Sequence, residues 1–122
     1  MTVDASQRDW VIAECSAKPG SVEDYPFGDQ VAVFKIAARM FALVLLGPPP
    51  GIVSLKCDPD LAADLRARYN AITPGYHLNK RHWNTVTLDG SVPEEELQEL
   101  IDHSYELVVA RLTKAQRNQL MT

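Results

Sequence analysis

The sequence predicts an α+β domain: an antiparallel sheet with helices packed on one face. Three observations predict it. Three apolar stretches, residues 31–37, 40–46 and 52–57, follow one another across short links, the spacing of an antiparallel meander. Two later segments open with strong helix-start signals, Asp58-Pro59 and Pro93-Glu94-Glu95-Glu96. Strands therefore cluster early and the helices are placed around them, which is not the regular alternation of a βαβ repeat. The expected order is α-β-β-β-α-β-α-α within a single domain spanning residues 1–122.

Each element has a local reason. Residues 6–17 form the first helix, with Ser6 as its cap and Asp9 near the positive end of the dipole. Lys18-Pro19-Gly20 stops it, since proline cannot continue the ladder. Residues 21–30 are a polar connection. Its turn Tyr25-Pro26-Phe27-Gly28 is expected to fold back over an open end of the sheet. Residues 31–37 alternate with a period of two, as a strand with one buried face requires. Ala38-Arg39 forms the turn. Residues 40–46 contain no polar side chain, so this strand belongs at the centre, covered on much of both faces. Gly47-Pro48-Pro49-Pro50-Gly51 is a rigid stop, and residues 52–57 give the third strand.

Asp58 caps the second helix and Pro59 occupies its first position. Leu61, Ala62, Leu65 and Tyr69 line one face, and Thr73-Pro74-Gly75 ends it. Residues 83–88, rich in Trp, Thr and Val, are the fourth strand. The third helix starts at Pro93 with three glutamates at its positive end and carries an apolar stripe through Val108. Thr113 caps a short last helix, 114–120.

Charge and composition narrow the function. The net charge of −4 disfavours generic coating of nucleic acid, but the distribution is uneven. Between Asp64 and Asp89 there is no acid, while Arg66, Arg68, Lys80 and Arg81 all lie there. The other eight basic residues face all sixteen acidic ones. A basic segment on an acidic body suits a directional electrostatic surface. Cys15 and Cys57 form no pattern, so they are expected to be buried and inert in a reducing cytoplasm. The first four residues lack the charge and apolar core of a targeting signal, and no apolar run approaches the length of a membrane span. No metal or other cofactor is expected, and a monomer is favoured.

Enzymatic readings find little footing. His77 and His82 are five apart with no carboxylate or cysteine at ligand spacing. Cys15 could pair with His77 only through folding. There is no nucleophile elbow, phosphate loop or dinucleotide fingerprint. An enzyme or small-molecule site would need a pocket around His77, His82 and Tyr25.

Nucleic-acid binding is better supported. The segment Pro74-Gly75-Tyr76-His77-Leu78-Asn79-Lys80-Arg81-His82-Trp83-Asn84 concentrates the features that contact DNA. Lys80 and Arg81 can neutralise phosphates; His77, Asn79 and Asn84 can reach backbone or base edges; Tyr76 and Trp83 can stack on exposed bases. Lys35 and Arg39 flank the first hairpin and add a second cluster if it folds near the loop. Hairpin and loop would then project from the sheet as two wings. The competing roles are structural: Trp83 as a core residue, His77 as a loop brace, Asn79-Lys80 as a turn. A protein- or peptide-binding adaptor using the sheet or its edge is the alternative function.

The same residues resemble a family. Tyr25-Pro26-Phe27-Gly28, Phe34-Lys35-Ile36, Met40-Phe41-Ala42 and above all His77-Leu78-Asn79-Lys80-Arg81-His82-Trp83 are similar to the YjbR/MmcQ family of small bacterial proteins. The resemblance runs from about Trp10 to the C-terminal helices. It implies an α+β domain related to secretion-chaperone-like and CyaY-like folds, and DNA binding through a double wing. On that reading Lys80 and Arg81 contact phosphates with help from Lys35 or Arg39. His77 and Asn79 shape the loop or touch bases, and His82 and Trp83 anchor it. Where relatives often have Gly and Lys, the first hairpin turn here has Ala38-Arg39, a stiffer turn that keeps its positive charge.

Overall fold

A computed structural model describes residues 5–120; the reading of the first four residues falls outside them. In chain order the elements are α1 (Ser6–Ser16), β1 (Val22–Asp24), β2 (Val31–Ile36), β3 (Arg39–Leu45), β4 (Ile52–Lys56), α2 (Pro59–Arg68), β5 (Ile72–Pro74), β6 (Trp83–Thr87), α3 (Glu94–Val109) and α4 (Lys114–Leu120). The strands form one sheet in the order β1-β2-β3-β4-β6-β5, with every pair antiparallel.

Period-two alternation sorts the side chains to two faces. Phe34, Ala42, Val44, Val53, Leu55 and Val86 share one face. There they meet Val11 and Cys15 of α1, Ala62 and Leu65 of α2, and Leu97 and Ile101 of α3. The Phe41 ring joins this core edge-on to Tyr105, with centroids 5.5 Å apart. As its uninterrupted apolar run requires, β3 is central, and residues 41–44 are buried. Both cysteines are buried, and burial pushes the Cys15 thiol up to about 12 and that of Cys57 to about 11.

Several local features differ from the sequence reading, each for a physical reason. Two edge strands were not anticipated. β1 lies within the polar connection and all three of its residues are exposed, so no apolar alternation marks it. β5 lies where α2 was expected to end. The helix stops at Arg68 because Tyr69 turns extended, at φ −124° and ψ 122°, and Ile72 enters the core as a strand residue. The β2–β3 turn is Ala37-Ala38, one residue earlier than expected. Both alanines have positive φ, 48° and 69°, the geometry of a two-residue hairpin turn that matches strand twist. Arg39 therefore begins β3, paired with Ile36. Ser6 is the first residue of α1, and Ala5 occupies the cap position with no side-chain bond.

Candidate nucleic-acid interface

The sheet's second face carries no helix. Val33, Leu43 and Trp83 form a small cluster there, with Val31, Met40 and Leu78 packed around it. The segment that covers it is the loop 75–82, between β5 and β6.

Glycine at 75 makes the loop's narrow base. Gly75 N–H donates to the Trp83 carbonyl at 2.9 Å. A Cβ at 75 would lie 2.7 Å from that of Trp83, so no larger residue fits between the two limbs. The loop then turns across the second face. Tyr76 N–H donates to Thr85 Oγ1 at 2.9 Å, and Thr85 Oγ1 lies 2.8 Å from Ser54 Oγ in a buried hydroxyl pair. His77 takes a left-handed φ of 59°, and Leu78 comes down on Val33, Leu43 and Trp83. The first half of the loop is thus laid on the sheet.

The second half, Asn79, Lys80, Arg81 and His82, is exposed. Asn79 Oδ1 accepts the N–H groups of Arg81 and His82 at 2.9 and 3.3 Å, an Asx turn. The His82 carbonyl accepts the Cys57 N–H at 2.8 Å, which anchors this limb to the end of β4. Lys80 Nζ donates across the loop to the Gly75 carbonyl at 3.1 Å. Arg66 of α2 braces the limb from behind: its guanidinium donates to Asn84 Oδ1 at 2.6 Å, to the Trp83 carbonyl at 3.3 Å and to the Lys80 carbonyl.

The acid-free segment therefore does not act as one positive surface. Arg66 is bound to the loop backbone, and Arg68 pairs with Asp64 at 2.8 Å and Glu96 at 3.3 Å. Asn84 is buried, its amide donating to the Ala62 carbonyl at 3.3 Å. Trp83 is 9% exposed, a floor for the loop with little ring left for stacking, whereas Tyr76 is 56% exposed. Lys35 pairs with Asp24 of β1 at 2.9 Å, and its ammonium holds that carboxyl below the usual carboxylate range.

Arg39 and Arg81 are exposed, with no ion pair among the described residues. Antiparallel pairing brings them to one end of the sheet. The β2–β3 turn, the end of β4 and the start of β6 all emerge there, and Arg39, Lys56 and Trp83 line one cavity of about 280 Å³. Arg111, just beyond α3, joins the same wall. Sequence reasoning missed Lys56 and Arg111. Neither stands in a motif, and only sheet register and the return of α3 bring them to Arg39.

On the far side of the loop lies a second cavity, of about 360 Å³. Phe27, Val31, Leu45, Tyr76 and Leu78 give it an apolar lining, with His77 at its border. Phe27 from the Tyr-Pro-Phe-Gly turn stands at its rim, 64% exposed. His77, His82 and Tyr25 do not converge: His77 borders this cavity, His82 a different depression with Lys56 and Cys57, and Tyr25 hydrogen-bonds Glu23 on β1. Cys15 lies in the helix-side core, across the sheet from the loop. Among the described residues no group of three or more His, Cys, Asp or Glu could hold a metal, and no helix is long and apolar enough to cross a membrane.

Comparison with known proteins gives a consistent outcome. The family model YjbR matches residues 16–107. The chain is 37% identical over 111 residues to the uncharacterized protein YjbR of Escherichia coli K12, covering 91% of this chain and 94% of that protein. It is 43% identical over 56 residues to the uncharacterized protein YyaQ of Bacillus subtilis, covering 46% of this chain and 47% of that one. Among solved structures, Deinococcus radiodurans protein DR2400 superposes with a TM-score of 0.86 at 45% identity, over 93% of this chain and 86% of that one. A Pseudomonas syringae protein superposes with a TM-score of 0.71 at 30% identity, over 82% and 97%.

Proposed function

The chain belongs to the YjbR family, and from that premise we propose that it is a DNA-binding protein that meets the duplex with the end of its sheet. One observation carries the reading. Two exposed basic segments, the β2–β3 turn with Arg39 and the second half of the loop with Lys80 and Arg81, emerge at the same end of the sheet. Neither Arg39 nor Arg81 is neutralised by an acid among the described residues. Guanidinium groups on two projections can grip phosphates on both sides of a groove, which fixes orientation without reading sequence. Asn79 and His77 hold the loop in shape, and His82 and Trp83 tie it to β4 and to the face beneath. Lys35, neutralised by Asp24, contributes less than Arg39.

The test is fluorescence anisotropy on labelled duplex and single-stranded DNA across a salt series. Arg81→Ala should weaken binding to all sequences alike and reduce the magnitude of the log–log salt slope by about one. Arg39→Ala should do the same. Absence of binding at low salt, or an unchanged slope in both variants, overturns the reading.

The apolar groove favours a second reading, an adaptor that takes a hydrophobic peptide side chain between Phe27 and Tyr76. Strand addition at the sheet edges is a poorer route. Each edge strand has three residues, β1 carries Glu23 and Asp24, and β5 ends in Pro74. Adaptor binding would survive moderate salt and fall with Phe27→Ser.

A further inference from the structure

We propose that the cavity bounded by the β2–β3 turn, the end of β4 and the segment after α3 seats a phosphoryl group held by Arg39, Lys56 and Arg111. The inference does not rest on the DNA reading, since these cations surround the cavity whether or not a duplex is bound. Each comes from a different element, and no acidic side chain lines the cavity. The ion pairs among the described residues lie elsewhere, at Lys18–Asp102, Lys35–Asp24, Arg68–Asp64 and Arg68–Glu96. Asp58 lines the adjoining depression with Lys56, His82 and Arg111, but its carboxylate caps α2 by accepting the Asp60 N–H at 3.0 Å.

A chain with sixteen acids and a net charge of −4 has carboxylates to spare for three converging cations. Leaving them unneutralised sets like charges against one another, and local conflict of this kind marks sites kept for a ligand. The conflict is visible at Lys56. Burial, with the charges of Arg111 and Arg39 added, holds its ammonium below the ordinary lysine range. An anion in the cavity would relieve that repulsion.

A phosphoryl group fits better than a carboxylate. Two guanidinium forks and one ammonium offer more donors than two carboxylate oxygens can accept, whereas a phosphomonoester presents three terminal oxygens. The volume of about 280 Å³ exceeds what a bare phosphate fills, and the remaining wall is apolar, from Met40, Trp83 and Val108. A phosphoryl group carrying a small apolar substituent would use both parts. The terminal phosphate of an oligonucleotide and a free small phosphomonoester share this chemistry.

Trp83 in the wall supplies the readout. The 122-residue chain is titrated with inorganic phosphate at ionic strength held constant with chloride, and tryptophan fluorescence is followed. A saturable change is expected, with affinity at least tenfold weaker in Arg111→Gln and in Arg39→Gln. Lys114→Gln, which removes the same charge from α4, should titrate like the unaltered chain. Circular dichroism confirms that each variant is folded, and Arg39→Gln, at the exposed start of β3, serves if Arg111→Gln is not. Competition by a 5′-phosphorylated oligonucleotide, its unphosphorylated twin and glycerol 3-phosphate then distinguishes the sources. No saturable response, or one that both arginine variants retain, overturns the proposal. Phosphate binding in a chain that ignores duplex DNA overturns only the DNA reading.

Discussion

Ser104 shows how one hydroxyl governs the position of a charged cluster through backbone contacts alone. It lies in the middle of α3 and is fully buried. Its Oγ donates to the Phe41 carbonyl at 2.5 Å and accepts the Lys56 N–H at 2.9 Å. One side chain therefore pins α3 to β3 and β4 next to the residues that carry Arg39 and Lys56. Ser104→Ala leaves two backbone groups without this partner in a dry environment, a cost of about 2 kcal/mol. Urea denaturation should show a lower midpoint with an unchanged m-value, and a midpoint equal to that of the original chain would mean that other groups satisfy the freed amide and carbonyl. Helical spacing puts this serine on the buried face, three residues after Ile101 and four before Val108, but the sequence does not name the two backbone groups that its hydroxyl meets there. Arg66 is similar. It was read as part of a basic surface, yet it braces the loop through three acceptors, because Asn84 and two carbonyls lie where the helix delivers it.

At the scale of elements, the β2–β3 turn places alanine at two positions that favour glycine or asparagine. Left-handed geometry crowds Cβ against the backbone, at a cost of about 1 kcal/mol per residue. Ala38→Gly should stabilise the fold by about 1 kcal/mol and raise the thermal midpoint by about 4 °C. A lower midpoint would mean that the freedom glycine gains in the unfolded chain outweighs the relieved crowding. The same hairpin marks where the sequence was legible. Period-two alternation revealed β2, an uninterrupted apolar run revealed β3, the apolar stretch after the proline loop revealed β4, Trp, Thr and Val content revealed β6, and Pro93 with its glutamates revealed the start of α3. Thr113 was recognised as the cap of α4; its Oγ1 accepts the Gln116 N–H at 3.1 Å, and Gln116 Oε1 accepts the Thr113 N–H in return, at 2.9 Å. The edge strands escaped because each has only three residues, with no buried side chain in β1 and one, Ile72, in β5, too few to show a period of two. The loop's composition was legible but its course was not, because the Tyr76 N–H bond to Thr85 and the packing of Leu78 on Val33, Leu43 and Trp83 lay it on the sheet, and those partners come from other elements. Arg68 lost its place in the basic surface to Glu96, which α3 supplies from distant sequence.

For the whole molecule, the two faces of the sheet set the division of labour. Helices bury one face and make the core, while the other is left to a loop, an apolar groove and a basic end. A duplex approaching a body of net charge −4 would be attracted only along the direction that presents Arg39, Lys56, Arg81 and Arg111, so orientation would be selected before contact. The Leu78 contact has a further consequence, for solubility. Without the loop, Val33, Leu43 and Trp83 would form part of a bare apolar strip on a regular sheet, a surface on which a second sheet can stack. Replacing residues 76–81 with a tight Asn-Gly turn should leave the far-ultraviolet circular dichroism nearly intact and yet raise the sedimentation coefficient as concentration increases. If the shortened chain sediments like the original, the strip is too small to self-associate. If it does not, the segment that carries the proposed DNA contacts also guards the protein against aggregation, and mutations that free the loop would be lost from the soluble fraction before their effect on binding could be measured.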